Sequence, residues 1–245
     1  MYSKTRITAI ASVLSVLSVL LWASCRITLP WAHEPIGQEI NLAFVVRNNL
    51  LFLPSATIDG RSGQFLLGTA AQHTVVDRAF AGSQGSRQMR LELDQKESLR
   101  FTPELIDMHG VADAIVGADV WGTRAISIDY ASGLITYQKE GIHPELMTIF
   151  RFDAEPRVNI IVDGKEIAAI VDTTSPDTLI VPRGTASESR RKAHLQLAGT
   201  DLGTIDIRLA DVSAPRIGNR LLSKYLVTID YGKREVGLWR DPRTH

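Results

Sequence analysis

Cysteine is nearly missing from this chain. Its 245 residues hold one, Cys25, so no intrachain disulfide can form and no cysteine-based metal site exists. An excess of charge of either sign is missing too. The 27 basic residues cancel the 27 acidic ones, which removes the electrostatic case for nucleic acid or an acidic membrane surface as partner. The six histidines are dispersed and show no HExxH spacing, so neither a metal nor another cofactor is expected. Prolines are scattered, and no long low-complexity run appears. What remains is an ordinary globular composition, 44% hydrophobic and 22% charged, able to bury a real core. The length fits one large domain or two small ones.

The N-terminus reads as an address. Lys4 and Arg6 precede an uncharged run from Ile7 to Cys25, centred on Val13-Leu14-Ser15-Val16-Leu17. A basic start before an apolar stretch is the pattern of a secretory signal, and the run is also long enough to span a bilayer as a helix. Three outcomes fit residues 1–25: a cleaved signal, an uncleaved anchor, or a lipoprotein lipidated at Cys25. Ala23-Ser24-Cys25 carries the small residues of a lipobox, while Trp22 departs from it. All three place the remainder outside the cytoplasm, periplasmic or membrane-anchored. Residues 26–48 read as a linker, interrupted by Pro30 and Pro35.

The rest of the chain is internally repeated. Ala56-Thr57-Ile58-Asp59-Gly60, Phe65-Leu66-Leu67-Gly68-Thr69-Ala70-Ala71 and Thr74-Val75-Val76 align with Ile160-Ile161-Val162-Asp163-Gly164, Ala169-Ile170-Val171-Asp172-Thr173-Thr174-Ser175 and Thr178-Leu179-Ile180 at a constant offset of 104. Further on, Ile115-Val116-Gly117 and Ser127-Ile128-Asp129-Tyr130 align with Arg216-Ile217-Gly218 and Thr228-Ile229-Asp230-Tyr231 at an offset of 101. Three residues were therefore lost between the two blocks of the second copy. The first copy spans residues 49–143 and the second 144–245. Asp59-Gly60 and Asp163-Gly164, flanked by β-branched residues, predict hairpin turns. Short apolar runs such as Ala168-Ala169-Ile170-Val171 predict buried strands. Helical turns are expected near residues 120–123 and 221–224, and Leu146 to Phe152 as the connection between copies. The expected fold is all-β, mainly β: two lobes related by a pseudo-twofold axis, preceded by an N-terminal apolar helix.

The order within each copy is a hairpin, a hydrophobic strand, Gly68-Thr69 or Asp172-Thr173 with two small residues, a β-branched strand, Val116-Gly117 or Ile217-Gly218, and a strand ending in Asp-Tyr. It resembles the retropepsin-like and pepsin-like aspartic peptidases over residues 52–240. The resemblance implies one catalytic aspartate from each copy, sharing a proton across the axis. It also implies that the threonine after each aspartate locks the two loops together. Gly117 and Gly218 fall on the element that threads behind those loops.

The pattern is broken at its chemical centre. Asp172 and Thr173 stand in the second copy, but the counterpart positions in the first are Gly68 and Thr69. Thr174 stands where the family has glycine, with Ala70 opposite it; Ser175 follows, with Ala71 opposite. One chain thus offers one carboxylate where the mechanism needs two. His73 and Ser175 lie in the two loops, yet no GxSxG elbow supports a hydrolase triad. Asp129 and Asp230 read as turn formers at strand ends. The first functional reading is a catalytically degenerate module outside the cytoplasm that binds an extended peptide or an envelope protein by strand addition. The second is an active aspartic endopeptidase in which homodimerisation supplies a second Asp172. The third is a structural β-domain whose groove is filled. Nothing in the sequence points to an oligomeric state, and the membrane enters only through the N-terminal segment.

Overall fold

The computed structural model describes residues 40–84, 87–94, 97–122, 124–138, 142, 145–183 and 192–241. The chain divides into Met1–Ile36 and Gly37–His245, and every described residue lies in the second unit. The expected apolar helix, Cys25 and the first part of the linker lie outside the described residues. Among the described residues no helix is long and apolar enough to cross a membrane.

One six-stranded sheet draws strands from both copies. Its order is β1 (Ile40–Ala43), β13 (Leu134–Gln138), β12 (Ala125–Asp129), β21 (Leu226–Asp230), β22 (Glu235–Trp239) and β14 (Thr148–Arg151). The copies meet where β12 runs antiparallel to β21, with Ile126 opposite Ile229, Ser127 opposite Thr228 and Ile128 opposite Val227. Ser127 Oγ and Thr228 Oγ1 are hydrogen bonded at 2.7 Å. The buried isoleucines and valine of this seam pack into the main core. Residues 40–43, expected within the linker, form β1, because the alternation of Ile40 and Leu42 with Asn41 and Ala43 buries one face against β13. Residues 148–151, expected in the connection, form the opposite edge strand.

The first copy builds a second six-stranded sheet, ordered β10 (Glu104–Ile106), β7 (Val75–Asp77), β11 (Ala114–Val116), β6 (Phe65–Leu67), β3 (Leu50–Phe52) and β2 (Val45–Arg47). It adds a four-stranded sheet of β5 (Arg61–Ser62), β4 (Ala56–Ile58), β8 (Met89–Leu93) and β9 (Glu97–Phe101). The second copy forms a closed barrel of β15 (Arg157–Val162), β16 (Lys165–Val171), β20 (Arg216–Ile217), β17 (Leu179–Pro182), β19 (Thr200–Ala210) and β18 (Lys192–Leu197). Three strands that run unbroken in the second copy are divided in the first: β15 against β3 and β4, β16 against β5 and β6, and β19 against β9 and β10. Pro54 and Pro103, which have no N–H, stand in two of the three breaks. Strand β2 has no counterpart and also falls in the stretch expected as linker.

The hairpin expectation concerns Asp59-Gly60, between β4 and β5, and Asp163-Gly164, between β15 and β16. All four residues have positive φ, 50° and 74° in the first turn and 50° and 80° in the second. That is the backbone a two-residue hairpin of this twist requires. Each copy also threads one short strand between two others. β11 runs parallel to β6 and antiparallel to β7. β20 runs parallel to β16 and antiparallel to β17. Helical turns α2 (Ala118–Trp121) and α3 (Asn219–Leu222) follow these threaded strands, beginning directly after Gly117 and Gly218 and two residues earlier than expected. A further turn, α1 (Arg78–Ala81), was not expected; the Asp77 carboxylate caps it by accepting from the Ala79 and Phe80 N–H groups.

Candidate functional site

The two Thr loops meet between β6 and β16. The Thr69 hydroxyl donates to the Val171 carbonyl at 2.6 Å and accepts from the Thr173 N–H at 3.1 Å. The Thr173 hydroxyl donates to the Leu67 carbonyl at 2.6 Å and accepts from the Thr69 N–H at 3.1 Å. Each hydroxyl uses donor and acceptor capacity on the other copy's backbone, and both threonines are fully buried. The result is a reciprocal clasp. Removing either hydroxyl orphans one buried carbonyl and one buried N–H.

Two tyrosines brace the clasp from the opposite copies. Tyr231 OH donates to the Thr69 carbonyl at 3.1 Å. Tyr130 OH donates to Asn219 Oδ1 at 2.8 Å, and Asn219 Nδ2 donates to the Thr173 carbonyl at 2.7 Å and to the Asn49 carbonyl at 2.5 Å. Burial pushes both phenols up from the ordinary tyrosine value, so they stay protonated donors at any physiological pH.

Asp172 lies beside the clasp and is only 4% exposed. Its Oδ1 accepts from the Thr174 N–H at 2.9 Å and the Thr174 hydroxyl at 2.5 Å. Its Oδ2 accepts from Arg216 Nη1 at 2.8 Å. Thr174, which replaces a glycine of the resembled pattern, thus satisfies one carboxylate oxygen. Arg216 neutralises the other. Across from it, Gly68 is buried, and a side chain there has no room. A Cβ on Gly68 would collide with Ile115 Cγ2 and stand 3.3 Å from Ala71 Cβ and 3.4 Å from Thr174 Cγ2. Ile115 and Arg216 are counterparts at the offset of 101. The first copy has packing at this position, and the second has a carboxylate with a guanidinium on it.

Gly117 and Gly218 share one environment. A Cβ on Gly117 would lie 2.6 Å from the His73 carbonyl carbon and oxygen; one on Gly218 would lie 2.5 Å from the Ser175 and Asp177 carbonyl oxygens. Both have extended backbones, φ −94° and −112°. Close approach, and not a left-handed conformation, excludes a side chain at these positions. Ser175 is buried, and its hydroxyl accepts from the Asp177 N–H at 3.4 Å. His73 is exposed and is not hydrogen bonded to it. Ala70 is half-buried. Asp129 Oδ1 accepts from the Ala131 and Ser132 N–H groups, and Asp230 Oδ1 from the Lys233 N–H, so both close turns.

The structure brings Asp172, Thr173, Gly68, Thr69 and Thr174 together. Arg216, Ile115, Asn219, Tyr130 and Tyr231 join them without having been singled out from the sequence. The available signal was a cation at the position where the other copy has isoleucine. No group of three or more His, Cys, Asp and Glu side chains suited to a metal occurs among the described residues. A separate cleft of about 330 Å³ is lined by Asp129, Lys224, Tyr225, Trp239, Arg240 and their neighbours, with none of the clasp residues in its wall. No protein-family model matches the chain, and no curated protein matches it.

Proposed function

We propose that residues 49–241 form a two-lobed, retropepsin-like domain that has lost peptide hydrolysis and serves as a peptide- or protein-binding module. The observation that carries this reading is the state of Asp172: Arg216 holds its Oδ2, and Ile115 fills the space at Gly68 where a second carboxylate would stand. A shared-proton dyad needs two adjacent carboxylates, one of them an acid. Among the described residues, the hydrogen-bond partners of the single carboxylate are Thr174 and Arg216, and neither is a carboxyl group. An enzyme made by homodimerisation would have to move Arg216 away from Asp172 first.

Three features support the two-lobed reading. The threaded strands β11 and β20 have the same neighbours in each copy. The clasp is reciprocal. The β12–β21 register maps onto itself when the copies are exchanged, because Ser127 faces its own counterpart Thr228. Retention of such a clasp without the dyad favours a role for the fold in binding. The burial of Gly68 and Asp172 also supports a second reading, a purely structural domain with a closed groove.

The test is a pair of measurements on the purified protein. Casein and unfolded-protein digests at acid and neutral pH should show no cleavage above that of an Asp172→Asn control. Peptide-array binding should be positive for the binding module and blank for the structural domain. Cleavage that disappears in Asp172→Asn would sink both. Export through residues 1–25 is part of the proposal, and protease accessibility of the domain in intact cells would check it.

A further inference from the structure

The two copies present different chemistry on the same face of their threaded sheets. In the first copy, cross-strand neighbours form the row Val45, Phe52, Leu66, Ile115, Val75, ending at Glu104. The row is apolar up to that last residue. Met108 and Ala112, from the segment joining β10 to β11, pack onto its middle, while Leu50, Val75 and Ile115 stay partly exposed. In the second copy the row is Arg157, Ile170, Arg216, Ile180, Arg208. The segment joining β19 to β20 is shorter, and arginines flank the buried isoleucines in place of a covering loop. Each is held by a carboxylate: Arg157 by Glu155 at 2.9 Å, Arg216 by Asp172 at 2.8 Å, Arg208 by Asp177 at 2.7 Å.

Arg216 is where the charged row meets the apolar one. Ile115 Cγ2 and Thr174 Cγ2 both lie within 3.4 Å of the point where a Gly68 Cβ would stand, and Thr174 shares Asp172 with Arg216. The Arg216 side chain is 26% exposed. It uses Nη1 on Asp172, and its Nε and Nη2 groups have no hydrogen-bond partner among the described residues. A guanidinium bound end-on at one nitrogen keeps an edge for a second, forked acceptor.

We propose that this junction takes an extended peptide in which an apolar side chain stands beside a carboxylate. The apolar side chain packs on Ile115 and Val75, and the carboxylate accepts from the unused edge of Arg216. This rests on the reading of the domain as a peptide-binding module and adds the class of peptide. Because Asp172 offsets the guanidinium charge, the gain comes from directed N–H donors more than from net charge. Selectivity for the acid should therefore persist at moderate salt.

Fluorescence anisotropy of the full chain with three labelled peptides of equal length decides it. One carries Leu-Glu with an amidated C-terminus, one carries Leu-Gln with the same amide, and one ends in Leu with a free carboxylate. The proposal expects one of the two acidic peptides to bind about tenfold tighter than the Leu-Gln peptide, the size of a charge-assisted pair. Which one does so tells a side-chain carboxylate from a chain end. Arg216→Lys, which keeps a charge but loses the fork, should shrink the preference, and Ile115→Ser should weaken all three peptides. Equal binding of all three overturns the proposal and leaves the peptide-binding reading standing. No binding by any overturns both. A preference unchanged in Arg216→Lys and Arg216→Met also overturns it, since the acid would then be read elsewhere.

Discussion

Thr173 and Thr69 together satisfy four backbone groups at the junction of the two copies. Thr173→Val keeps the volume and removes the hydroxyl, leaving the Leu67 carbonyl and the Thr69 N–H buried and unpaired. At about 1–3 kcal/mol for each orphaned group, the loss should be on the order of 3 kcal/mol in a urea melt. The Asp172–Arg216 pair makes a different prediction. Arg216→Met strands a buried carboxylate with only Thr174 for support and should cost about 2 kcal/mol, toned down from the fully buried case because Arg216 is partly wet. Adding Asp172→Asn should recover part of that loss, and a double-mutant cycle by denaturation reads the coupling. Asp77 supplies the pH dependence. The Met108 N–H, first, and the α1 N–H groups of Ala79 and Phe80 hold its carboxyl below the usual aspartate value, against the opposing effect of burial. A depressed carboxyl contributes stability above its unfolded pKa and loses it as pH falls through the folded one. The acid limb of a stability profile, below about pH 4, should therefore be shallower in Asp77→Asn than in the parent.

The threaded strands depend on the absence of a side chain more than on backbone freedom. Gly218→Ala places a methyl 2.5 Å from two carbonyl oxygens of a packed loop, so the loop must move. Gly60 has φ +74° and nothing within 4 Å of a new Cβ, so Gly60→Ala meets only conformational strain of about 1 kcal/mol. Thermal melts should therefore rank Gly218→Ala and Gly117→Ala well below Gly60→Ala; the opposite order would mean that φ governs. Much at this scale was legible in the sequence. The Asp-Gly hairpins were visible because two positive-φ residues in a row leave few choices. The clasp threonines and threading glycines were visible because the chain repeats them. What stayed hidden depended on partners that no local pattern names. Pro54 and Pro103 stand in the breaks of strands whose copies run on. The ungapped alignment sets Val75 against Leu179, yet Ile115 pairs with Val75 while its counterpart Arg216 pairs with Ile180. A one-residue difference in pairing turns the strand over, so Leu179 enters the main core and Val75 does not. Arg216 stood in plain view as a charge among apolar counterparts, but its meaning required knowing that it reaches Asp172.

The two copies are joined by a continuous sheet, a buried clasp and crossed tyrosine braces, so the described domain should lose its structure in one step. Far-UV circular dichroism and tryptophan fluorescence should give coincident urea transitions; separated transitions would mean that each copy folds alone. The hydrogen bond between Ser127 and Thr228 shows what the covalent joining of the copies permits. The two hydroxyls face one another as counterparts, 2.7 Å apart, and a single proton lies between them. One must donate and the other accept, so even the most symmetrical contact in the molecule has a direction. Two identical chains paired in this way would carry every substitution twice, and a glycine on one side would force a glycine on the other. A tandem chain is free of that constraint. It can keep Asp172 with its arginine on one side and pack isoleucine against glycine on the other, so the junction has a left and a right that no pair of identical chains could have.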